Sequence, residues 1–192
     1  MPGKDTHIPT ALVAMANGTE EMEAVVVIDT LVRAGVNVVT ASVHDILQVK
    51  CSRGVEILTN VNIKECAEKD WDCVVLPGGM PGAEHLQASP TLKHILNDQN
   101  KAGKLIAAIC ASPAVILAPM GILEGKKATC YPAEKFINAL PKYEARESLV
   151  VVEDGNIITS KGPGTALIFA LKIAGKLMGD DVEARVAREM LA

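Results

Sequence analysis

The chain has 192 residues, 49% hydrophobic, 22% charged and only 3% aromatic, with 19 Lys and Arg against 23 Asp and Glu for a net charge of −4. This is the make-up of a globular protein rather than a disordered one, and without a Lys/Arg cluster it offers no direct nucleic-acid surface. A core so poor in aromatics must be built from Val, Ile, Leu and Ala, the bias of buried parallel strands covered by helices.

Residues 8–15 are an apolar run closing on Ala16-Asn17-Gly18-Thr19, and read as a first strand ending in a turn. A helix is predicted over 20–34, with Glu20, Glu21 and Glu23 in its early turns. Acids there match the positive end of the helix dipole. Glu23 is also flanked by Met22 and Ala24-Val25-Val26-Val27, which would draw its side chain into a less polar setting. Gly35 caps the helix and 36–43 alternates as a strand. Two short β pieces around Arg53-Gly54 occupy 50–62, as a hairpin or protruding edge, and 64–69 reads as a brief polar helix. The buried strand 71–76, WDCVVL, runs into Pro77-Gly78-Gly79-Met80-Pro81-Gly82. Two glycines directly after a buried strand permit close backbone approach, and successive N–H groups there can form an anion-binding concavity. A tight loop that needs glycine for conformation alone explains them equally well, and the spacing matches no nucleotide-binding motif.

Ser89 and Pro90 open a helix to about residue 102, and Gly103 ends it. The strand 105–109, LIAAI, stops at Cys110, and a helix restarts through Pro113 and 114–118 until Pro119. A strand-like piece at 127–130 precedes Tyr131-Pro132. Residues 149–153 and 156–160, divided by Asp154-Gly155, carry a hairpin signature. Gly162-Pro163-Gly164-Thr165 introduces a helix to Met178, Gly179 caps it, and Asp180 begins a last helix with Glu183 at its capping-box position. Strands and helices in alternation predict an α/β sandwich with a mainly parallel, doubly wound sheet.

Ligands of such sheets bind beyond the carboxyl ends of the strands. The acids after the first strand, the glycine pair and Cys110 all fall there. A thiol on a sharp strand-to-helix turn would face free N–H groups and the positive helix end, which favour thiolate. A buried structural cysteine, acting as a small hydrophobe, fits the same stretch. The other cysteines, at 51, 66, 73 and 130, form no CxxC pair, so a structural zinc site is not expected. His7, His44, His85 and His94 fall in a tail, a loop and helical stretches, and read as surface residues. The beginning of the chain shows neither a secretory nor a transit pattern, and no apolar run approaches the ~18 residues that span a bilayer. A cytoplasmic protein of a reducing compartment is expected, with nucleus or mitochondrion open in a eukaryote.

Six stretches in order resemble the ThiJ/PfpI superfamily, and within it the Parkinsonism-associated deglycase branch, the DJ-one proteins. They are Gly18-Thr19-Glu20-Glu21-Met22-Glu23, Arg33-Ala34-Gly35, Cys51-Ser52-Arg53-Gly54, VVLPGG with Gly82, AAICASP, and Ser160-Lys161-Gly162-Pro163-Gly164-Thr165. The resemblance implies one domain over 1–192 with a flexible tail at 1–7. Its fold would be a three-layer α/β/α sandwich, flavodoxin-like and similar to class I glutamine amidotransferases, with a strand–nucleophile–helix elbow. It also implies that Cys110 is the nucleophile and oxidation-sensitive residue, that Glu23 is the acid bonded to it, and that Gly78, Gly79 and Ala111 offer backbone N–H groups. Glu20, Arg33 and Arg53 would lie near a homodimer interface and the mouth of the site. Two residues depart from relatives: Tyr131 stands in TCYP where many have His, and Ala111 follows the cysteine where the protease-like branch has His.

The implied activity is a cofactor-independent and metal-independent conversion of methylglyoxal or glyoxal, or of their early protein or nucleotide adducts, to hydroxy acids. An ionised Glu23 beside a thiolate would repel it, so Glu23 must be protonated and donate a hydrogen bond to sulfur. The same thiol would serve a non-enzymatic redox sensor or chaperone. A peptidase or amidotransferase needs a histidine base that the chain does not place, and a phenol in its stead, as at Tyr131, is a poor general base.

Overall fold

A computed structural model of the chain describes residues 7–144 and 149–192. The expected tail therefore lies, apart from His7, outside the described residues. Strand β1, Thr10–Met15, is buried at every position after Thr10. Helix α1, Glu21–Ala34, begins one residue later than expected and ends at Gly35, whose φ of 92° suits glycine and whose N–H bonds the Leu31 and Val32 carbonyls. Strand β2 is Asn37–Ser42. Strands β3 (Gln48–Lys50) and β4 (Glu56–Leu58) pair antiparallel as a separate excursion, with Cys51-Ser52-Arg53-Gly54 in the connection between them. Strand β5, Val61–Asn62, returns to the main sheet. The polar helix expected at 64–69 is a 3-10 turn at Ile63–Cys66. It is started by reciprocal Asn62 and Glu65 bonds, a capping box that fixes a helix start but does not lengthen it.

Strand β6, Cys73–Leu76, leads through the glycine loop into helix α2, Gly82–Ala88, which the pattern did not predict because Pro and Gly punctuate its start. Helix α3, Pro90–Lys101, has the expected Ser89 cap: Ser89 Oγ accepts the Leu92 N–H at 3.2 Å. After strand β7, Leu105–Ile109, the expected α-helix is a five-residue π turn at Pro113–Leu117, in which the Ala118 N–H reaches back to the Pro113 carbonyl. The strand expected at 127–130 does not form. Ala128 makes a single bridge to Tyr143, and the Thr129 N–H goes to the Thr159 hydroxyl instead of a ladder. A short helix α4, Glu134–Ile137, follows. Strands β8 (Val151–Asp154) and β9 (Ile157–Ser160) form the expected hairpin, with Gly155 at φ 62°. Helices α5 (Ala166–Met178) and α6 (Asp180–Glu189) complete the chain.

The main sheet runs β5-β2-β1-β6-β7-β9-β8, parallel except at the β8 edge. Successive strand residues face opposite layers, so Ala11, Val13 and Met15 pack with Val27, Leu31, Phe169 and Ile173 of α1 and α5. Leu12, Ala14, Val74 and Leu76 pack with Leu86, Leu92, Leu96 and Ile116 on the other face. The result is a doubly wound three-layer α/β/α sandwich of the flavodoxin-like kind, as expected.

Candidate active site

The order of strands reverses between β1 and β6: the chain moves outward from β1 to β2 and β5, then returns to the other side of β1. α1 leaves β1 toward one layer and α2 leaves β6 toward the other. The crevice between their loops is where such sheets take ligands. Glycines let the two loops touch. A β-carbon on Gly79 (φ 90°) would lie 2.3 Å from the Gly18 carbonyl oxygen and 2.5 Å from the Glu20 nitrogen, and one on Gly82 would lie 2.5 Å from the Thr19 nitrogen. Gly78 has Cys110 as its obstacle, with a β-carbon falling 2.5 Å from the Cys110 β-carbon.

Cys110 stands on the corner after β7 with φ 64°, a left-handed conformation that non-glycine residues rarely adopt. The surroundings hold it there: its N–H donates to the Ser160 carbonyl at 3.0 Å, and its carbonyl accepts the Tyr131 N–H at 2.8 Å. Ser112 ties the corner to the glycine loop by donating to the Pro77 carbonyl at 2.6 Å. Such strain, held by neighbours, is a feature of functional sites. Among the five cysteines Cys110 alone is half-buried, whereas Cys51, Cys66, Cys73 and Cys130 are buried.

Glu23, on the second residue after Glu21 opens α1, is wholly buried. Its Oε2 accepts the Gly78 N–H at 2.7 Å, and its Oε1 is buried without an N–H or O–H partner. Burial lifts its pKa to about 7, against the Gly78 N–H bond, and the carboxyl interacts directly with the Cys110 thiol. A protonated Glu23 near neutrality is therefore supported. The thiol itself behaves differently from the expectation of helix-end stabilisation. Burial, then the charge of ionised Glu23, push Cys110 upward, while the N–H groups of Gly79 and Ala111 pull it down. A five-residue π turn supplies little dipole to oppose this. A proton on Glu23 replaces the repulsion with a hydrogen bond, so the thiolate belongs to the protonated-Glu23 form of the pair.

Glu20, Ser52, Arg53, Gly79, Met80, Cys110, Ala111 and Tyr131, with Phe136 and Pro163, line a pocket of about 250 Å³. It has room for a small molecule. Ser52 contacts Glu20 Oε2 at 2.8 Å and Glu21 Oε2 at 2.9 Å, and the Arg53 N–H reaches Glu21 Oε1 at 2.8 Å. Burial raises Glu21, but these bonds outweigh it and hold the carboxyl below its ordinary value.

One expected placement changes and another narrows. Gly78 does not offer its N–H to a ligand, since that group is committed to Glu23. Arg33, expected near a dimer interface or the mouth of the site, does not line the pocket of the single chain, which leaves it the dimer-proximal place. It sits at the far end of α1, about 15 Å along the axis from Glu23, in an exposed pair with Asp29 at 2.9 Å. Ser52, Met80, Phe136 and Pro163 line the pocket without having been singled out; Phe136, one of two Phe residues in an aromatic-poor chain, was the available signal. His7 and His94 are exposed as expected, but His44 and His85 are half-buried and hydrogen-bonded. Among the described residues no group of three or more His, Cys, Asp or Glu side chains is placed to hold a metal, and no helix is long and apolar enough to cross a membrane.

The model of the DJ-1/PfpI family matches residues 9–176. Drosophila melanogaster Protein dj-1beta is 44% identical over 182 residues, covering 95% of this chain and 96% of its own length. Caenorhabditis elegans Glutathione-independent glyoxalase DJR-1.2 is 41% identical over 162 residues, 84% of each chain. The crystal structure of Drosophila melanogaster DJ-1beta superposes with a TM-score of 0.91 at 43% identity, covering 97% of this chain and 99% of that one. Arabidopsis thaliana Protein DJ-1 homolog B is 44% identical over 183 residues, 95% of this chain, which spans 41% of the plant protein's length. The family match, these identities and the fold together make the chain a member of the DJ-1/PfpI family.

Proposed function

We propose that the protein is a cofactor-independent glyoxalase or deglycase that turns small α-oxoaldehydes, free or as early adducts, into hydroxy acids. The observation that carries this reading is the strained, half-buried Cys110 in direct contact with a carboxyl whose pKa is about 7, at the floor of a small pocket. The glyoxalase name of the worm relative supports it.

In the proposed sequence, the Cys110 sulfur bonds to the aldehyde carbon and the proton of Glu23 passes to the aldehyde oxygen, giving a hemithioacetal. The Gly79 and Ala111 N–H groups steady that oxygen as charge develops. Glu23, now a carboxylate, removes the proton from the former aldehyde carbon and returns it to the neighbouring one, while the hydroxyl proton on the former aldehyde oxygen passes to the ketone oxygen. The result is a thioester of the 2-hydroxy acid with no net oxidation. Water cleaves the thioester, releasing lactate when methylglyoxal is the substrate and restoring the thiol. The site's single domain and the cytoplasmic setting belong to the same proposal. So does a homodimer through α1, which exposes Met22, Val25 and Val32.

The deciding measurement mixes wild type and Cys110→Ser with methylglyoxal in the absence of glutathione and follows lactate. Many turnovers by wild type alone are expected. Aldehyde loss limited to one equivalent per thiol overturns the enzyme reading. A redox-sensing role is the second reading, favoured by Cys110 being the one half-buried thiol. Mild peroxide should then add two oxygen atoms to the intact mass at Cys110.

A further inference from the structure

The loop over 16–20 brings Glu20 to the pocket and packs against Gly79, and two histidines hold it from behind. His44, in the loop after β2, takes the Asn17 N–H on Nε2 at 2.9 Å. An N–H only donates, so this nitrogen is bare and the ring is neutral with its proton on Nδ1. His85, on α2, meets the Asn17 carbonyl through Nδ1 at 2.9 Å. A carbonyl only accepts, so here Nδ1 carries the proton. Both backbone groups of one residue are thus held by two imidazoles, whose centroids lie 5.2 Å apart with the rings crossed at 79°.

From Asn17 the constraint runs to the reacting sulfur. Asn17 Oδ1 accepts the Lys50 N–H at 2.9 Å, and the Gly18 N–H donates to the Lys50 carbonyl at 2.8 Å. The Glu20 N–H donates to the Gly78 carbonyl at 2.9 Å. Gly18 and Glu20 are also the backbone atoms against which Gly79 lies without room for a β-carbon. Gly78 in turn bonds Glu23, and the Gly79 N–H faces the Cys110 sulfur.

We propose that His44 and His85 are positioning residues for Cys110, holding the loop at Asn17 so that the Gly79 N–H and the Glu23 carboxyl stay aimed at the sulfur, and that protonation of His44 releases this hold. A proton on His44 Nε2 would set donor against donor at Asn17, and the loop would have to move away. Burial, then the neighbouring His85, push His44 below the ordinary histidine value, with Asp45 opposing. The titratable and charged groups facing it are His85 from α2, Asp45 beside it in the chain, and Lys64 from the 3-10 turn, whose Nζ is paired with Asp45 at 3.0 Å. The clamp is therefore closed at neutral pH and opens below the usual histidine range. The proposal rests on Cys110 being the reactive thiol, but not on the identity of the carbonyl substrate.

The test follows iodoacetamide alkylation of Cys110 from pH 5 to 8 in wild type, His44→Leu and His44→Gln, with the modified residue mapped by peptide mass. Leu removes the acceptor for a half-buried N–H, and alkylation at pH 7.5 should slow about tenfold. Gln offers Oε1 in place of Nε2 but does not titrate. It should restore most of the rate at pH 7.5 and remove the extra steepness of the wild-type decline at acid pH. A wild-type rate in His44→Leu, or an unchanged acid decline in His44→Gln, overturns the proposal. Should the Leu variant fail to fold, the acid decline of the Gln variant decides alone. Alkylation at another cysteine overturns both the premise and the proposal, whereas absence of lactate production defeats only the glyoxalase reading.

Discussion

Glu23 has a consequence for stability that can be measured apart from any activity. Its carboxyl is raised by burial from 4.5 to about 7. Such a group favours the folded state fully below its unfolded pKa, and that contribution disappears as pH rises through the folded value. The displacement corresponds to about 3 kcal/mol. Glu23→Gln keeps an acceptor for the Gly78 N–H and cannot ionise, so its stability lacks this dependence. Urea unfolding of both proteins at pH 4.5, 6, 7 and 8, with fluorescence of the single Trp71 as the signal, gives the difference directly. The variant should gain on the wild type by about 3 kcal/mol between pH 4.5 and pH 8, most of it before neutrality. A difference that stays flat across this range would falsify the claim that burial, rather than the Gly78 bond, governs Glu23. The proton shuttle proposed for the site would then lose its physical basis.

Other consequences are more local. Gly79→Ala places a β-carbon against backbone atoms at a positive φ, and should lower unfolding free energy by about 3 kcal/mol or more while slowing Cys110 alkylation; a variant as stable as wild type would show the loop contact to be loose. Ser52→Ala leaves Glu20 and Glu21 without their shared hydroxyl, at a cost of about 1–3 kcal/mol in chemical denaturation. Phe169→Ala empties a fully buried position on α5 in the core, and should cost about 3–5 kcal/mol without changing the alkylation rate per folded molecule. Val25→Lys places a charge among the exposed apolar side chains of α1, and for the proposed dimer sedimentation at micromolar concentration should give a dimer for the wild type and a monomer for the variant; a monomeric wild type would refute the dimer.

The layered fold was legible because its signals are local. Wholly apolar runs such as CVVL and LIAAI can only be strands buried on both faces, and Gly35, Ser89-Pro90 and Asp154-Gly155 carry their own backbone preferences. Pattern reading failed where long-range contacts decide the outcome. Residues 127–130 are apolar enough for a strand, yet the Thr129 N–H is taken by the Thr159 hydroxyl and pairing stops. The residues after Cys110 have helix-forming composition, but the backbone bonding around Pro113 widens to a π turn. Helix α2 hides behind its Pro and Gly because its stability comes from Ala83 and Leu86 packing under the sheet.

For the site, residue order alone determined that acids, a glycine pair and a thiol would gather at the carboxyl ends of a parallel sheet. That follows from chain direction and strand alternation. The resemblance pointed to Glu23 as the acid at the sulfur, and the fold supplies the reason: Glu20 and Glu21 turn toward Ser52, while Glu23 is carried into the core. The fate of each glycine N–H was a matter of tertiary structure: that of Gly78 goes to the Glu23 carboxyl. The ionisation of the Cys110–Glu23 pair is the clearest case. The identity of the two residues says which proton is shared, but only burial and the N–H groups around them set its energy, because desolvation depends on what the whole fold places between a charge and water.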